Sequence, residues 1–155
     1  MSEPSASKRG PAGLNPVYQR NGPDCAVAAM ATIFGASYEE VRAILIFEGR
    51  TDSRGTLKEQ EIACGNHFGF RLTWVDKDEF GLAIMWSEVP ALSLVVAYAP
   101  RQHRNTHMMY SDADGEVWEV GRNRKGGTYR LVGYFEVEKI FDYKEKNQEV
   151  LESFI

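Results

Sequence analysis

The sequence predicts an α+β fold, in which helices near the N-terminus pack on an antiparallel sheet. Helix signals fill the first half of the chain and strand signals the second, and this segregation is typical of α+β domains. Two of the strand-like segments flank Asp112-Ala113-Asp114-Gly115, which has the composition of a hairpin turn. The length of 155 residues fits a single domain with a sizeable core.

Composition and charge narrow the class of protein. Hydrophobic residues make up 43% of the chain and charged residues 26%, the ordinary balance of a globular protein. The net charge of -4 argues against a general nucleic-acid-binding protein, which is usually strongly basic. No apolar run approaches the ~20 residues that cross a bilayer, so no membrane span is expected. The composition of residues 1–14 predicts a flexible tail without a secretory signal. Residues 15–155 are predicted to form a single domain.

The cysteine count bears on the compartment. Only Cys25 and Cys64 are present, whereas a small secreted domain usually carries more cysteines, paired in disulfides. We therefore expect two free thiols in the reducing cytoplasm, with a single Cys25–Cys64 disulfide as the less favoured alternative.

Three helices are predicted before residue 70. Asp24 is an acceptable N-cap for a helix over 25–35, in which small residues dominate. Ser37 with Glu40 three residues later forms a capping box for a second helix, which runs to about residue 47. Thr56 with Glu59 predicts a third helix in the same way, ending near residue 68.

Strands follow the helices. Alternating and β-branched segments predict them at 70–75, 92–98, 106–110, 116–120 and 128–135. The last segment, 144–154, is expected to be a short or frayed helix.

Cys25 is the first candidate functional residue, because it falls in the first turn of its helix. The unpaired backbone N–H groups of that turn favour negative charge, so a thiol placed there becomes a better nucleophile. The alternative is a small core residue, which is what most unpaired cysteines are.

Gln19 lies six residues before Cys25, across a Gly-Pro turn. Its side-chain amide could donate to a developing oxyanion, together with the backbone N–H of Cys25. The alternative is an ordinary loop glutamine in water.

His107 and Glu119 complete the candidate site. His107 begins a predicted strand, and a neutral imidazole there could take the thiol proton and later protonate a leaving group. Glu119 lies twelve residues on, across the hairpin, so the two side chains could share a face and meet. The carboxylate would orient the imidazole. Asp112 and Glu116 are less suitable because they are closer to the turn, and Glu119 itself could be a solvated strand charge.

These residues resemble the papain-like cysteine peptidases, and most closely the bacteriocin-processing peptidase group. Short papain-like proteins of tailed phages are also similar. The segments that carry the resemblance are Gln19, Asp24 to Met30, Gly35 to Val41, Arg54 to Leu57 and Val89 to Leu92. The resemblance covers roughly Val17 to Gly121, and it implies a papain-like fold without a cofactor, acting on a protein or peptide substrate.

The same resemblance implies roles for the site residues. Cys25 maps to the family's nucleophile, His107 to its base and Glu119 to its acid. The sequence departs from the family pattern at three positions: Ala26 stands where the group has Gly, Glu119 where it has Asp, and Val120 where Pro is usual. The first departure argues against a double-glycine substrate.

The predicted function is a cysteine hydrolase that cleaves a peptide, isopeptide or related amide through a thioester. An acyltransferase or deamidase could use the same groups. The alternative class is a papain-like binding protein or inhibitor without catalysis, for example a phage protein acting on a host factor.

Weaker signals are set beside this prediction. His103 could compete for the role of base, but its loop position fixes it poorly. Cys64 and His67 have zinc-ligand spacing without a second ligand pair, and are taken as structural with no metal. The three tryptophans are expected in the core or a cleft wall. A basic rim could select an acidic substrate; its members are Arg101, Arg104, Arg122, Arg124, Lys125 and Arg130.

Overall fold

The computed structural model describes residues 10–20, 24–51, 56–99, 102–121 and 130–146, with the backbone alone at 99 and 102–105. In this part of the chain, helices precede an antiparallel sheet of five strands, which confirms the α+β prediction. The helices are α1 (Cys25–Phe34), α2 (Tyr38–Phe47) and α3 (Lys58–His67). The strands are β1 (Phe70–Val75), β2 (Leu94–Ala99), β3 (Gln102–Ser111), β4 (Val117–Trp118) and β5 (Leu131–Lys139). A 3-10 turn at Trp86–Glu88 and a helical turn at 143–146 complete the elements.

Local signals set the ends of α1 and α2. Gly35 ends α1 with φ 67°, a left-handed conformation that glycine adopts without steric cost. The predicted capping box of α2 is confirmed: the Glu40 N–H donates to Ser37 Oγ at 3.1 Å, and the Ser37 N–H donates to Glu40 Oε1 at 3.0 Å.

The prediction that Asp24 caps α1 is wrong in its detail. Asp24 holds the N-cap position, but its carboxylate accepts no hydrogen bond from the helix. It accepts instead from the Arg20 N–H at 3.0 Å and from the Tyr38 hydroxyl. The buried carboxylate thus ties the preceding loop and α2 to the start of α1. Burial and this hydrogen bond raise the pKa of Tyr38 to about 12.

The third helix begins later than the Thr56–Glu59 pattern predicts. Leu57 is its N-cap, and the Leu57 N–H donates to the side chain of Gln60 at 2.8 Å. The Thr56 hydroxyl accepts a hydrogen bond from Arg50 Nε at 3.2 Å, six residues earlier in the chain. In place of the predicted cap, Thr56 is therefore bonded to a residue just after the end of α2.

The strands differ from their predicted bounds in length. β1 is as predicted, whereas β3 and β5 are longer and β4 is shorter. β4 stops at Trp118 because the next part of the chain pairs elsewhere: Val120 O accepts from the Gln19 N–H at 2.8 Å. β2 begins two residues late, after Leu92 at φ 56° and Ser93, whose N–H donates to Ser111 Oγ at 2.8 Å.

The strand order is β1-β5-β2-β3-β4, with every neighbouring pair antiparallel. Side chains alternate between the two faces of the sheet. One face packs under the helices, where fully buried residues of α1 meet Leu94, Tyr110 and Phe135. The other face carries a smaller apolar cluster: Val95, Ala97 and Met109, partly covered by Trp86, Val89, Val117 and Leu131.

Some sequence expectations fall outside the described residues. These are the tail up to residue 9, the first two residues of the strand predicted at 128–135, and the helix predicted at 144–154 beyond residue 146. In the described part of the tail, the Ala12 N–H donates to Asp112 Oδ2 at 3.0 Å, so the chain is already bonded to the domain there. No helix among the described residues is both long and apolar enough to cross a membrane.

Candidate active site

Cys25 is the first residue of α1 and is half-buried. Its Sγ accepts a hydrogen bond from the Met108 N–H at 3.4 Å. β4 ends at Trp118, opposite Tyr110, so within the described ranges no strand pairs with this edge of β3 beside Met108. The N-terminal end of α1 thus places the thiol at this edge of the sheet.

His107 and Glu119 are in direct contact, with 2.8 Å between His107 Nε2 and Glu119 Oε2. The register of β3 and β4 pairs Tyr110 with Trp118, so Glu119 lies diagonally across from His107 on the same face. The imidazole is 20% exposed and the carboxylate 7%. Because Nε2 faces the carboxylate, Nδ1 is the nitrogen left for the thiol.

The electrostatics of His107 tie the three side chains together. Burial alone would lower the pKa of His107, but the hydrogen bonds with Cys25 and Glu119 and their negative charges outweigh it, raising the pKa to about 9. An imidazolium is therefore favoured at neutral pH, with the Cys25 sulfur on one side of the ring and the Glu119 carboxylate on the other. A sulfur nucleophile with an imidazole in contact has a partner for proton transfer, as covalent catalysis requires.

Gln19 joins the site through its backbone. The Gln19 N–H donates to Val120 O at 2.8 Å, next to Glu119, and the following residue, Arg20, donates its N–H to Asp24 Oδ2 at 3.0 Å. Gln19 therefore lies between the residue after the acid and the residue before the thiol. The structure brings Cys25, His107 and Glu119 into one chain of side-chain contacts, with Gln19 beside it.

Asp112, one of the two other hairpin carboxylates considered, stabilises the fold. Asp112 is 2% exposed and accepts from the Ala12 N–H at 3.0 Å, Trp118 Nε1–H at 2.8 Å and the Glu116 N–H at 3.0 Å. Burial would raise the pKa of Asp112, but these hydrogen bonds lower it. The carboxylate that reaches the imidazole is that of Glu119.

Glu61 is a residue that the sequence reasoning missed. It is 6% exposed on α3, on the buried stripe it shares with Cys64 and Gly65. Burial and then the negative charge of Cys25 raise the pKa of Glu61 to about 8, against the opposing charge of Lys58. A buried carboxyl thus lies within electrostatic range of the thiol. The helical spacing of 61, 64, 65 and 68 was the available signal, since the other three positions are small or apolar.

Cys64 is unlike Cys25. It is fully buried, and burial together with the charges of Glu61 and Glu48 raises the pKa of its thiol to about 12. His67 stacks edge-on against Phe68, with 5.0 Å between ring centroids. The two cysteines are free thiols, and the described residues contain no group of three or more metal-ligating side chains.

The weaker sequence candidates are only partly described. The side chain of His103 and the basic residues Arg101, Arg104, Arg122, Arg124 and Lys125 lie outside the described residues. Arg130 is described, and its guanidinium lies over the Tyr98 ring at 5.6 Å from the centroid. Of the tryptophans, Trp118 is buried, whereas Trp74 and Trp86 are half-buried.

The architecture identifies the class of protein: it is a papain-like α+β domain, with helices packed on an antiparallel sheet. Solved structures that share this fold include two peptidase domains. One is the peptidase domain of Streptococcus ComA, a bi-functional ABC transporter involved in a quorum-sensing pathway; it has a TM-score of 0.53 and 12% identity, covering 80% of this chain and 97% of that domain. The other is the peptidase domain of Streptococcus mutans ComA, with a TM-score of 0.51 and 11% identity, covering 79% and 98%.

No family model and no curated protein matches the chain. At 11–12% identity, the structural similarity shows a shared fold and nothing about activity. The predicted papain-like α+β fold is confirmed, and the chain has the fold of these peptidase domains.

Proposed function

We propose that this protein is a cysteine hydrolase that cleaves a peptide, isopeptide or related amide through a thioester intermediate. The observation that carries the proposal is the continuous contact from the Cys25 thiol through the His107 imidazole to the Glu119 carboxylate. The peptidase domains with the same fold support a protein or peptide substrate. The chemistry needs a reduced thiol, so we also propose the cytoplasm as its location.

The proposed reaction has two steps. The Cys25 sulfur attacks the substrate carbonyl carbon, and the C–N bond breaks as His107 gives its proton to the leaving amine. A water molecule then attacks the thioester carbon while His107 takes its proton, and the proton returns to the departing sulfur. The free acid and the original thiol are the products of the second step.

The remaining residues stabilise charge in these steps. Glu119 orients the imidazole and stabilises its positive charge without itself being protonated. The Cys25 N–H and the Gln19 side chain donate to the oxyanion that forms in each step. Loss of one such donor typically costs about 10²–10³ in rate.

Labelling with a broad cysteine-hydrolase probe tests the proposal, with the adduct mapped by mass spectrometry. Cys25 should be modified much faster than Cys64, whose thiol is buried and hard to ionise. Cys25→Ala should abolish both the adduct and any hydrolysis, whereas Cys64→Ala should keep both. Equal, slow labelling of the two thiols would point to a binding protein without catalysis.

A further inference from the structure

An open groove lies on the face of the sheet away from the helices. It has a volume of about 510 Å³, and the segment between β1 and β2 forms one wall while the start of β5 forms the other. Met85 on this segment is 66% exposed. The lining residues are Ile84, Met85, Trp86, Ser87, Arg130 and Leu131.

The groove shares a row of the sheet with His107. Leu131 of β5 pairs with Ala97 of β2, and Ala97 pairs with His107 of β3, so the three side chains point from the same face. Neighbouring strands are about 4.8 Å apart, so the groove begins about 10 Å from the imidazole.

Trp86 connects the groove with the apolar cluster on the same face of the sheet. It lines the groove, and it also packs on the cluster that contains Ala97 and Met109. Ala97, the residue between Leu131 and His107, is fully buried in this cluster. Apolar side chains therefore fill this face of the sheet between the groove and the strand that carries the imidazole.

The order in which Cys25, His107 and the groove follow one another across the sheet decides which part of a substrate would reach the groove. Cys25 lies at the edge of β3 beside Met108, and His107 projects from β3 itself. The groove lies further along the same direction, beyond β2. Because His107 protonates the leaving amine, the chain of the leaving group passes over the imidazole and onward to the groove.

We propose that this groove binds an apolar side chain of the substrate on the leaving-group side, at about the third residue after the scissile bond. The spacing follows because an extended chain rises about 3.3 Å per residue, so about 10 Å takes three residues. The walls are apolar except for Ser87 and Arg130, and the cation suits an acidic group beside the apolar anchor. The proposal rests on the proposed hydrolase activity.

A partition experiment tests the groove without the natural substrate. The acyl-enzyme is formed from p-nitrophenyl esters of N-protected Gly, Ala and Leu, with release of p-nitrophenol. Peptide amines then compete with water: the amine nitrogen bonds to the acyl carbon, the C–S bond breaks, and the amine proton returns to the thiol through His107. The amines are Gly-Gly-Leu amide, Leu-Gly-Gly amide and Gly-Gly-Ser amide.

Gly-Gly-Leu amide should be the best acceptor, by roughly fivefold to tenfold, as expected from partial burial of one leucine side chain. Met85→Ser should remove most of this preference, and Met85→Leu should keep it. Leu82→Ser is the matched control: Leu82 is 65% exposed on the same segment, its N–H is likewise bonded to a carboxylate, and it is outside the groove.

The outcomes separate the two proposals. An acyl-enzyme that transfers to all three amines equally, or a preference that Met85→Ser leaves intact, overturns the groove assignment while the hydrolase proposal stands. A protein that releases no burst of p-nitrophenol and gains no acyl mass at Cys25 with any ester overturns the hydrolase proposal, and the groove assignment with it.

Discussion

At the scale of single residues, the site depends on how each side chain is charged by its neighbours. His107 is held cationic because the thiol and a carboxylate contact it from two sides, which outweighs its burial. Glu61 shows the opposite case, a carboxyl whose pKa is raised to about 8 by burial and then by the nearby charge of Cys25. The pKa values of both side chains lie far above their ordinary ranges, so the pH dependence of the His107 resonances and of the unfolding free energy can be measured.

The first prediction concerns the acid. Glu119→Gln keeps a hydrogen-bond partner for His107 but removes its charge, so activity should fall substantially and the pKa of His107, about 9 in the native protein, should move down. Glu119→Asp should lose less activity because the carboxylate survives. Histidine proton resonances followed against pH measure the shift, with His107→Ala to assign them.

Glu116→Gln is the matched control, since Glu116 is exposed on the same hairpin and its backbone N–H donates to the turn carboxylate of Asp112 at 3.0 Å. Full activity in Glu119→Ala, combined with impaired Asp112 or Glu116 variants, would require the acid to be reassigned. If none of these variants matters, Cys25 and His107 work as a pair without a third side chain.

The second prediction concerns Glu61 and the free energy of unfolding. Its pKa rises from 4.5 to about 8 on folding, so the folded state is favoured below pH 4.5 and loses stability as the pH rises toward 8. The loss is on the order of a few kcal/mol. Glu61→Gln should flatten this dependence, so that the variant is the more stable protein at pH 8.

Urea unfolding at pH 5 and pH 8 measures the effect as the difference between wild type and variant, in which the contribution of His107 cancels. Glu59→Gln is the control, because Glu59 is exposed on the same helix. A wild type and a Glu61→Gln variant with parallel pH profiles would show that Glu61 is not buried as described.

At the scale of elements, the hairpin between β3 and β4 is held by one carboxylate. Asp112 accepts from the turn itself, from Trp118 on β4 and from Ala12 in the N-terminal segment. Gly115, at φ 83°, provides the positive dihedral that the turn requires. The element that positions Glu119 is therefore fixed by a carboxylate that is not in contact with His107.

The third prediction follows from this arrangement. In the native protein Asp112 Oδ2 accepts hydrogen bonds from the Ala12 N–H and from Trp118 Nε1–H. Asp112→Asn places an NH₂ group, which donates and does not accept, at one of the two carboxylate positions. We expect a loss of about 2–4 kcal/mol in unfolding free energy, from unpaired buried donors. Asp114→Asn, at an exposed turn position, should change stability little. If Asp112→Asn and Asp114→Asn were both as stable as the wild type, Asp112 would not stabilise the hairpin.

At the scale of the whole molecule, the N-terminal segment joins the two halves of the site. The Val17 N–H donates to Thr32 Oγ1 on α1 at 2.9 Å, and the Gln19 N–H donates to Val120 O at 2.8 Å. The segment thus bridges the helix that carries the thiol and the strand end that carries the acid. Its path delivers Gln19 to the site.

The fourth prediction is that Gln19→Ala lowers the turnover rate by about 10²–10³ with little change in KM, because the amide is needed most when the oxyanion forms. The backbone bond to Val120 O survives the substitution, so the fold should be kept. Asn15→Ala, in the same segment, serves as the control. An unchanged kcat would make Gln19 an ordinary loop residue.

The sequence alone determined the features that depend on local hydrogen bonds and on alternation. The Ser37–Glu40 box, Gly35 at the end of α1 and the bounds of β1 involve neighbours within a few residues, so the printed order of residues contains them. The pairing of His107 with Glu119 was also within reach, because one short hairpin separates them.

The tertiary structure decided what depends on distant partners. Val120 pairs with Gln19 at the end of β4, and β5 inserts between β1 and β2. The nearness of Glu61 to Cys25 and the row from His107 to Leu131 arise in the same way. The physical reason is that a hydrogen bond or a strand pair between remote residues is selected by the burial of the whole core, and no local pattern encodes which of the possible partners will be closest.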